Sequence, residues 1–200
     1  MSGRISIVNE KKNLLKHDHI DICFNVNGNK KILRYNDTRR FGAMIWTDDN
    51  PSNHKLIATL GPEPLSDEFN ADYLYEIVKR KKQPIKSTIM DSHSVVGVGN
   101  IYASESLFLA SIRPQRRSQK IKKKEIIILV DSIKMVIQKA IERGGSTLND
   151  FFSVNGQSGY FQNEHNVYGR ENESCNKCEG RIYQLRIAQR SSFYCKNCQV

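Results

Sequence analysis

Two Cys-x-x-Cys pairs near the end of the chain constrain its fold more than any other feature. Cys175 and Cys178 form the first pair, sixteen residues follow, and Cys195 and Cys198 form the second. Two thiolates three positions apart on a tight turn can bind one ion, and two such pairs complete the tetrahedral shell of sulfur ligands that Zn²⁺ accepts. Because a closed shell leaves no position for water, the spacing predicts one structural zinc ion and no metal chemistry.

Two alternatives compete with this zinc site: a pair of disulfides, and four unrelated thiols. The chain has five cysteines, so Cys23 stays single, as expected in a reducing cytoplasm. The first residues lack the apolar segment of a secretory signal, and no apolar run approaches the length of a membrane-spanning helix. These features favour the metal site, and they predict a cytoplasmic protein without a membrane partner.

The residues between the two cysteine pairs predict a β-hairpin. Apolar and polar residues alternate over residues 181–194, and the tip falls near residues 187–190. A hairpin closed by zinc would therefore present Arg190 from a rigid support.

The first 48 residues have the alternation of β-strands. Strands are expected around Ile5, over residues 20–35 with a tight turn at Asn27-Gly28, and again over residues 41–47. We expect an antiparallel meander that is short of partners for its edges, and hence part of a larger β layer.

The pattern becomes helical after Gly61-Pro62-Glu63-Pro64, a segment typical of a domain boundary. Asn70 or Asp72 would cap the first helix, and Gly144-Gly145 would end the longest one. Apolar spacing predicts helices over residues 70–81, 85–90, 101–110, 122–143 and 146–153. The expected fold class is α+β: a partial antiparallel β-sandwich lobe, a helical domain and a C-terminal β-hairpin.

The charge of the chain indicates a polyanionic partner. There are 31 lysines and arginines against 21 acidic residues, which gives a net charge of +10. Nucleic acid and an acidic membrane surface both fit this excess, and so does a soluble basic protein with neither partner. Charge alone does not choose among them.

Three segments carry residues that suit contact with nucleic acid. In Arg39-Arg40-Phe41-Gly42, an arginine and a ring on one side of the chain could enter a base stack; the alternative is a surface arginine beside a core phenylalanine. Gly97-Val98-Gly99-Asn100 precedes a helix whose first N–H groups attract phosphate; the alternative is an ordinary turn with Asn100 as the helix cap. Residues 155–161 suit either a flap beside an aromatic platform or a plain surface loop.

The remaining motifs narrow the function further. His17 and His19 suit a phosphate contact or simple surface exposure. No nucleophile–base–acid set, phosphate-binding loop or HExxH motif is present. The residues alone therefore predict a basic, zinc-containing, DNA-binding protein without a catalytic centre of its own. A zinc-ribbon module of transcription or translation is a more distant alternative, because it leaves the segments around Arg39 and Asn100 unexplained.

The order of the motifs along the whole chain resembles that of the bacterial formamidopyrimidine-DNA glycosylases. This family excises oxidised purines, such as 8-oxoguanine and formamidopyrimidines, from DNA and then cleaves the abasic strand. The segments that carry the resemblance are Asp37–Gly42, Leu60–Leu65, Ile89–Asp91, Val95–Ser106, Gly144–Leu148, Gly159–Phe161, Val167–Arg170 and Ala188–Arg190 together with the cysteine pairs.

The resemblance implies roles for individual residues. Met1, Arg39 and Phe41 match the residues that fill the gap left by the flipped base. His17, Lys82 and Asn100 match phosphate contacts. Arg190 matches the arginine that grips the phosphates of the lesion and donates a proton in the second elimination. The segment Ser153–Tyr160 matches the loop that caps the extruded base, and its candidate residues are Asn155, Gly156, Gly159 and Tyr160.

The resemblance also implies a domain plan. Residues 1–60 would be the remainder of the N-terminal β-sandwich lobe, and residues 61–153 a helix-two-turn-helix DNA-binding domain. Residues 154–165 would hold the lesion-capping loop and a connector, and residues 166–200 the zinc-finger hairpin. The expected partner is duplex DNA with oxidised or abasic lesions, bound by a monomer in the bacterial nucleoid.

One departure from the family pattern bears on catalysis. Family members begin Pro-Glu-Leu-Pro-Glu, and the free amine of that proline is the nucleophile that forms a Schiff base. The present sequence begins Met1-Ser2-Gly3, which matches an internal stretch of the family, and Ser2 does not replace the proline because its amine is primary. A partial sequence, a wrongly assigned start codon, a split or decaying gene and a truncated protein are the four explanations. We expect these 200 residues to be inactive alone; the alternative is a non-catalytic, zinc-dependent DNA-binding remnant.

Overall fold

The computed structural model describes residues 3–8, 13–145 and 165–200, and it confirms the α+β class. The chain divides into two compact units, Met1–Asp48 with Ala140–Asn163 and Asp49–Lys139 with Glu164–Val200. None of the described helices is long and apolar enough to cross a membrane. The strands are β1 (Arg4–Val8), β2 (Asp18–Val26), β3 (Asn29–Asn36), β4 (Ile182–Ile187) and β5 (Arg190–Cys195), and the helices are α1 (Ala71–Val78), α2 (Ile85–Ile89), α3 (Asn100–Leu109) and α4 (Lys123–Glu142).

The first unit contains a three-stranded antiparallel sheet in the order β1-β3-β2. The predicted strands around Ile5 and over residues 20–35 are confirmed, as is the Asn27-Gly28 turn, whose two residues have the positive φ (50° and 79°) that such a hairpin requires. The expected meander order is wrong, because β1 pairs with β3 and not with the next strand along the chain. The tight turn joins only β2 to β3, whereas the longer connection after β1 lets that strand reach the other edge of β3.

The predicted strand over residues 41–47 is also wrong, since this segment forms no strand in the structure. The buried carboxylate of Asp37 bends the chain instead. Its Oδ2 accepts hydrogen bonds from the backbone N–H of Gly42 (2.8 Å) and the hydroxyl of Tyr35 (2.9 Å), and its Oδ1 accepts one from the N–H of Arg39 (3.3 Å). Backbone groups that a strand would offer to a neighbour are thus bound to a side chain, and Arg40 turns at φ 55°.

The helices of the second unit enclose an apolar core. The side chain of Asn70 caps α1 by accepting a hydrogen bond from the N–H of Tyr73 (3.0 Å), as predicted. Helical spacing directs Leu74 and Val78 of α1 and Ile126, Leu129 and Ile133 of α4 into a core in which these side chains are fully or almost fully buried. The predicted start and end of the longest helix are confirmed to within one residue.

Gly61 is required where two segments of this unit cross. Its N–H donates to the carbonyl of Ser92 (2.8 Å), and a Cβ at Gly61 would lie 2.6 Å from the backbone carbon of Ser94. The N–H of Val96 donates to the carbonyl of Pro62 (3.2 Å). The Gly-Pro-Glu-Pro segment is therefore bound to the chain that leads into α3, which helps to fix the start of that helix.

The C-terminal hairpin forms as predicted, with its tip at Ala188-Gln189. Strands β4 and β5 are antiparallel, and Ile187 pairs with Arg190 across a two-residue turn in which both residues have positive φ (44° and 60°). The hairpin packs on α3 through a second apolar cluster, which contains Phe108, Val167, Cys175, Ile182, Phe193 and Cys195. This packing holds Arg190 at the exposed end of a well-buried element.

Candidate nucleic-acid interface and metal centre

The four paired cysteines converge on one point. Their Sγ atoms all lie within 4.8 Å of one another, with 3.9 Å between Cys175 and Cys198 and 3.4 Å between Cys178 and Cys195. None forms a disulfide. Ligands of a tetrahedral ion with Zn–S bonds of about 2.3 Å lie roughly 3.8 Å apart, so the spacing fits such an ion. The cluster could therefore hold a metal ion, and the disulfide alternative is wrong.

Backbone hydrogen bonds shape the first cysteine pair. The N–H of Lys177 donates to the Sγ of Cys175 (3.4 Å), and the N–H of Cys175 donates to the carbonyl of Gly180 (2.7 Å). A hydrogen bond from the backbone of Gly180 is the main cause that lowers the pKa of Cys178 to about 7, whereas burial raises the pKa of Cys195. Since metal ligation requires thiolates, Cys178 is ready to bind near neutral pH.

The second cysteine pair is tied to the turn after α3 by the buried side chain of Gln199. Its Nε2 donates to the carbonyl of Ile112 (2.7 Å), and its Oε1 accepts from the N–H of Cys195 (2.8 Å). Arg113 adds hydrogen bonds from Nε to the carbonyl of Gln199 (2.8 Å) and from a terminal nitrogen to that of Lys196 (3.0 Å). The metal centre is thus joined to the helices by polar bonds as well as by apolar packing.

A buried lysine lies beneath the tip of the hairpin. Arg190 is exposed, whereas Lys86 of α2 is 1% exposed. The Nζ of Lys86 donates to the carbonyl of Ser191 (3.0 Å) and to the Oγ of Ser192 (2.8 Å). Burial, and to a lesser extent the charge of Arg190, lower the pKa of Lys86 to about 7. The sequence reasoning missed this residue; its only signal was its place inside the predicted short helix over residues 85–90.

The glycine-containing segment leads into α3 as predicted, but Gly99 is the cap and Asn100 is the first helical residue. Gly97 turns at φ 74° shortly before the helix, whose start carries N–H groups of the kind that bind anions. The Nδ2 of Asn100 donates to the hydroxyl of Tyr168 (3.4 Å), and within the described residues its buried Oδ1 has no partner. The alternative in which Asn100 caps the helix is therefore wrong.

Glu105 connects α3 to the segment that follows residue 164, and the sequence reasoning missed it. Its carboxylate is 1% exposed. Oε1 accepts from the N–H groups of Val167 (2.9 Å) and Tyr168 (2.8 Å), and Oε2 accepts from the N–H (2.8 Å) and Nδ2 (3.0 Å) of Asn166. This fixes Tyr168, which contacts both Asn100 and, at 5.1 Å between ring centroids, Phe193 of the hairpin. The signal in the sequence was the polar triplet 104–106 within an apolar helix.

In the first unit, Arg39 and Phe41 lie together. The guanidinium carbon of Arg39 is 5.6 Å from the ring centroid of Phe41, and the ring is 66% exposed. The alternative of a core phenylalanine is therefore wrong. His17 lies before β2 at φ 77°, with its ring 6.4 Å from that of His19.

The remaining predicted residues are either exposed on a loop or outside the described part of the chain. Lys82 is exposed on the loop between α1 and α2. Met1 and the predicted capping residues Asn155, Gly156, Gly159 and Tyr160 lie outside the described residues, as does the predicted helix over residues 146–153.

Comparison with known proteins assigns this architecture. Residues 60–152 match the family model described as the formamidopyrimidine-DNA glycosylase H2TH domain. The chain is 50% identical over 184 residues to a formamidopyrimidine-DNA glycosylase of Neisseria meningitidis, covering 92% of this chain and 66% of that protein. It is also 50% identical over 199 residues to one of Legionella pneumophila, covering 100% of this chain and 72% of that protein.

A solved structure shows the same likeness in three dimensions. The complex of Lactococcus lactis Fpg with DNA that contains an abasic site superposes with a TM-score of 0.87 at 32% sequence identity. The match covers 100% of this chain and 72% of the Lactococcus chain. The cysteine cluster, the helical domain and these likenesses agree, and the chain belongs to the formamidopyrimidine-DNA glycosylase family.

Proposed function

We propose that this chain serves a DNA glycosylase with AP-lyase activity, which removes oxidised purines such as 8-oxoguanine and formamidopyrimidines and then cleaves the abasic strand. We further propose that a polypeptide of these 200 residues binds such DNA without cleaving it. The observation that carries the proposal is the C-terminal hairpin of β4 and β5, which the cysteine cluster and the packing on α3 hold in place. It holds an exposed arginine on a rigid element in a chain with a net charge of +10.

Arg190 would bind the phosphates that flank the flipped nucleotide. A guanidinium can make two parallel hydrogen bonds to a phosphate, so its orientation matters as much as its charge. The two-residue turn, the cysteine cluster and Lys86 all limit that orientation. In the complete reaction Arg190 would also donate a proton in the second elimination.

Three further residues would bind phosphates and so position the duplex. The start of α3 offers backbone N–H groups, and Asn100 adds a side-chain amide that Tyr168 holds in place. Lys82 and His17 would add contacts that depend on charge. Such contacts bind without reading sequence, as a lesion search requires.

Arg39 and Phe41 would fill the space left by the flipped base, together with Met1. The exposed ring of Phe41 can enter between base pairs, and the guanidinium above it can bond to the edge of the unpaired base. We call Arg39 and Phe41 the wedge. The hydrogen bonds that Asp37 accepts from the N–H groups of Arg39 and Gly42 would keep the wedge in this conformation before DNA binds. Residues 153–160 would cap the extruded base.

The metal would be one structural zinc ion, held by Cys175, Cys178, Cys195 and Cys198. When bound, zinc supplies folding energy to the hairpin and no open coordination site. The four ligands close the shell, so the chemistry of the reaction falls to other groups.

We also propose that the protein acts as a monomer on the nucleoid in the bacterial cytoplasm.

The nucleophile is the part of the reaction that these residues do not supply. The family uses the secondary amine of an N-terminal proline and an adjacent glutamate, and no matching pair is found among the 200 residues. The residues present would bind, orient and unstack the damaged strand. They would not form the covalent intermediate with C1′.

Binding and trapping experiments on the zinc-loaded 200-residue polypeptide test both proposals. We expect binding to an abasic duplex that weakens steeply with salt, binding to an undamaged duplex that is weaker, and no covalent adduct with borohydride. A trapped adduct would contradict the lack of catalysis. Equal or absent binding to the two duplexes at low salt would contradict the proposed role in lesion recognition.

A further inference from the structure

Lys86 is a buried cation without a buried acid. Its side chain is 1% exposed, and within the described part of the chain no carboxylate pairs with it. An ammonium group removed from water is costly unless other groups compensate, and the neighbouring charge of Arg190 adds to that cost. An apolar side chain would fill the same space at lower cost, so the ammonium must contribute something that packing does not.

Its contribution is a set of hydrogen bonds to the strand that carries Arg190. The Nζ of Lys86 binds the carbonyl of Ser191 directly, at 3.0 Å. It also binds the Oγ of Ser192 at 2.8 Å, and that hydroxyl donates in turn to the carbonyl of Arg190 at 3.3 Å. One buried group thus holds the two carbonyls on either side of the Ser191 Cα, directly at Ser191 and through the Ser192 hydroxyl at Arg190.

The turn before Arg190 makes such a support necessary. Ala188 and Gln189 are not glycine, yet both have positive φ (44° and 60°), which is unfavourable for residues with a Cβ. The turn side chains and Arg190 are exposed and cannot hold the tip by packing. Lys86 reaches this strand from α2, more than a hundred residues away in sequence.

We propose that Lys86 is the positioning residue of Arg190, whose buried ammonium fixes the backbone of residues 190–192 so that the guanidinium points at the phosphates of the damaged strand. The direction toward phosphate rests on the proposed function; the fixing of the backbone does not. A phosphate on Arg190 would offset the repulsion that the lysine and the arginine exert on each other.

Lys86→Met in the zinc-loaded 200-residue chain tests the proposal, because methionine keeps an apolar stem of similar length. Hydrogen exchange is measured first, in the free protein. We expect backbone amides in residues 186–192 to exchange about tenfold faster, at unchanged zinc stoichiometry. Lys124→Met, which removes an exposed lysine from α4, is the matched control and should leave that exchange unchanged.

The second measurement is affinity for an abasic duplex in a double-mutant cycle with Arg190→Ala. Lys86→Met should weaken binding about tenfold in the parent chain but have almost no effect in the Arg190→Ala chain, because its influence passes through the arginine. A residue that merely stabilises the fold would weaken binding equally in both chains. Any effect of Lys124→Met should be the same in both backgrounds.

Unchanged exchange in residues 186–192, or equal losses of affinity in the two backgrounds, would overturn the proposal. If Lys86→Met loses zinc or unfolds, Ser192→Ala replaces it: this variant keeps Lys86 but removes the bond to the carbonyl of Arg190. Ser192→Ala should also speed amide exchange in residues 186–192 and should also weaken DNA binding less in the Arg190→Ala chain than in the parent chain, with both effects smaller than those of Lys86→Met. The absence of both effects would overturn the proposal. If the parent chain binds no DNA, the proposed function fails, while the exchange experiment still decides whether Lys86 holds the strand.

Discussion

Arg190 and Arg39 are both exposed arginines with a proposed role on DNA, but different parts of the chain hold them. The support of Arg190 comes largely from residues distant in sequence: Lys86, the first cysteine pair, and the turn after α3 that Gln199 binds. The support of Arg39 is local, since Asp37 two residues earlier binds its backbone N–H. If the proposed roles hold, the first arrangement orients a group that must fit one phosphate geometry, whereas the second shapes a wedge that only needs to stay extended from the surface.

This difference gives the hairpin more ways to fail than the wedge. Loss of the metal, of a buried charge or of packing on α3 should each displace Arg190. By contrast, the wedge should respond only to changes within its own turn. The variants below test that contrast, from the largest expected effect to the smallest.

Cys195→Ser should have the largest effect. A site with three sulfur ligands loses much of the binding energy that folds the hairpin, so we expect substoichiometric zinc and at least about a hundredfold weaker binding to an abasic duplex. Zinc content by elemental analysis and affinity by fluorescence anisotropy measure the two losses. Cys23→Ser is the control, because Cys23 is exposed on the sheet and should leave both values unchanged. Stoichiometric zinc together with unchanged affinity in Cys195→Ser would contradict the structural role.

Glu105→Gln should destabilise the fold by about 3 kcal/mol, since it affects bonds to both carboxylate oxygens of a buried group. Each oxygen of Glu105 accepts from two N–H donors, so the amide nitrogen of glutamine would face donors where the carboxylate had acceptors. The free energy of unfolding from urea titration measures the loss, which should displace Tyr168 and weaken DNA binding through Asn100.

Glu171→Gln makes the same change of charge at an exposed position and serves as the control. If both variants unfold at the same urea concentration, the four hydrogen bonds do not hold this segment in place.

Lys86 and Glu105 show which features of the structure could not be predicted from the sequence. Spacing alone was enough for the cysteine cluster, the Asn27-Gly28 turn, the cap at Asn70 and the hairpin tip, because each depends on residues close in sequence. Lys86 and Glu105 bind backbone groups that lie 105 and about 60 residues away, and no local pattern marks a buried charge whose partners are peptide groups. The polar residues around Glu105 in a largely apolar helix were an available signal, but such a signal identifies a position without naming its partner. For Lys86 even that signal was weak, because α2 contains other polar residues.

The error over residues 41–47 has the opposite origin, because there a single side chain outweighed a pattern. Alternation favoured a strand, but Asp37 binds the N–H groups of Arg39 and Gly42 and so turns the chain. The order β1-β3-β2 was missed for a similar reason: alternation identifies strands but not their neighbours. Strand pairing and side-chain caps are decided by contacts that periodicity does not record.

Asp37→Asn should affect the wedge and leave the hairpin intact. Asparagine keeps one acceptor oxygen but places an amide donor against an N–H or hydroxyl group, so we expect about fivefold weaker binding to an abasic duplex, with full zinc content. The hydrogen bond to Asp37 is the main cause that raises the pKa of Tyr35, so this pKa should fall toward its ordinary value of 10.0 in the variant. NMR titration of the tyrosine ring signals measures that change.

Asp67→Asn, an exposed change of the same charge, is the control for the Asp37 variant. If Asp37→Asn lost zinc, or if its hairpin amides exchanged faster with solvent, the two supports would not be independent. The contrast between the two arginines would then be wrong.

The smallest effect is expected from Glu125→Gln, and it concerns acid stability. Glu125 pairs with Arg116 through two bonds (2.6 and 3.1 Å) and accepts from the N–H of Lys122 (2.8 Å) at the start of α4. The bond from Arg116 is the main cause that lowers the pKa of Glu125 below its ordinary value of 4.5. A carboxylate whose pKa is lower in the folded state contributes stability that is present above pH 4.5 and is lost as pH falls through the folded pKa.

Glu125→Gln should therefore cost about 1 kcal/mol or less at pH 7, and this cost should shrink as pH falls through the folded pKa, because protonation of the carboxylate cancels the ion pair. The sheet provides the comparison, since Arg34 binds Asp21 through two bonds of 2.8 Å and lowers the pKa of that carboxylate too. Urea titrations of Glu125→Gln and Asp21→Asn from pH 7 downward measure the free energy of unfolding. Spectroscopic probes placed in each unit then show which unit each ion pair stabilises. If the units unfold independently, each substitution flattens the acid dependence of its own unit alone. If both substitutions flatten one shared transition, the two supports belong to a single cooperative fold, and Arg39 then depends on the metal centre as Arg190 does.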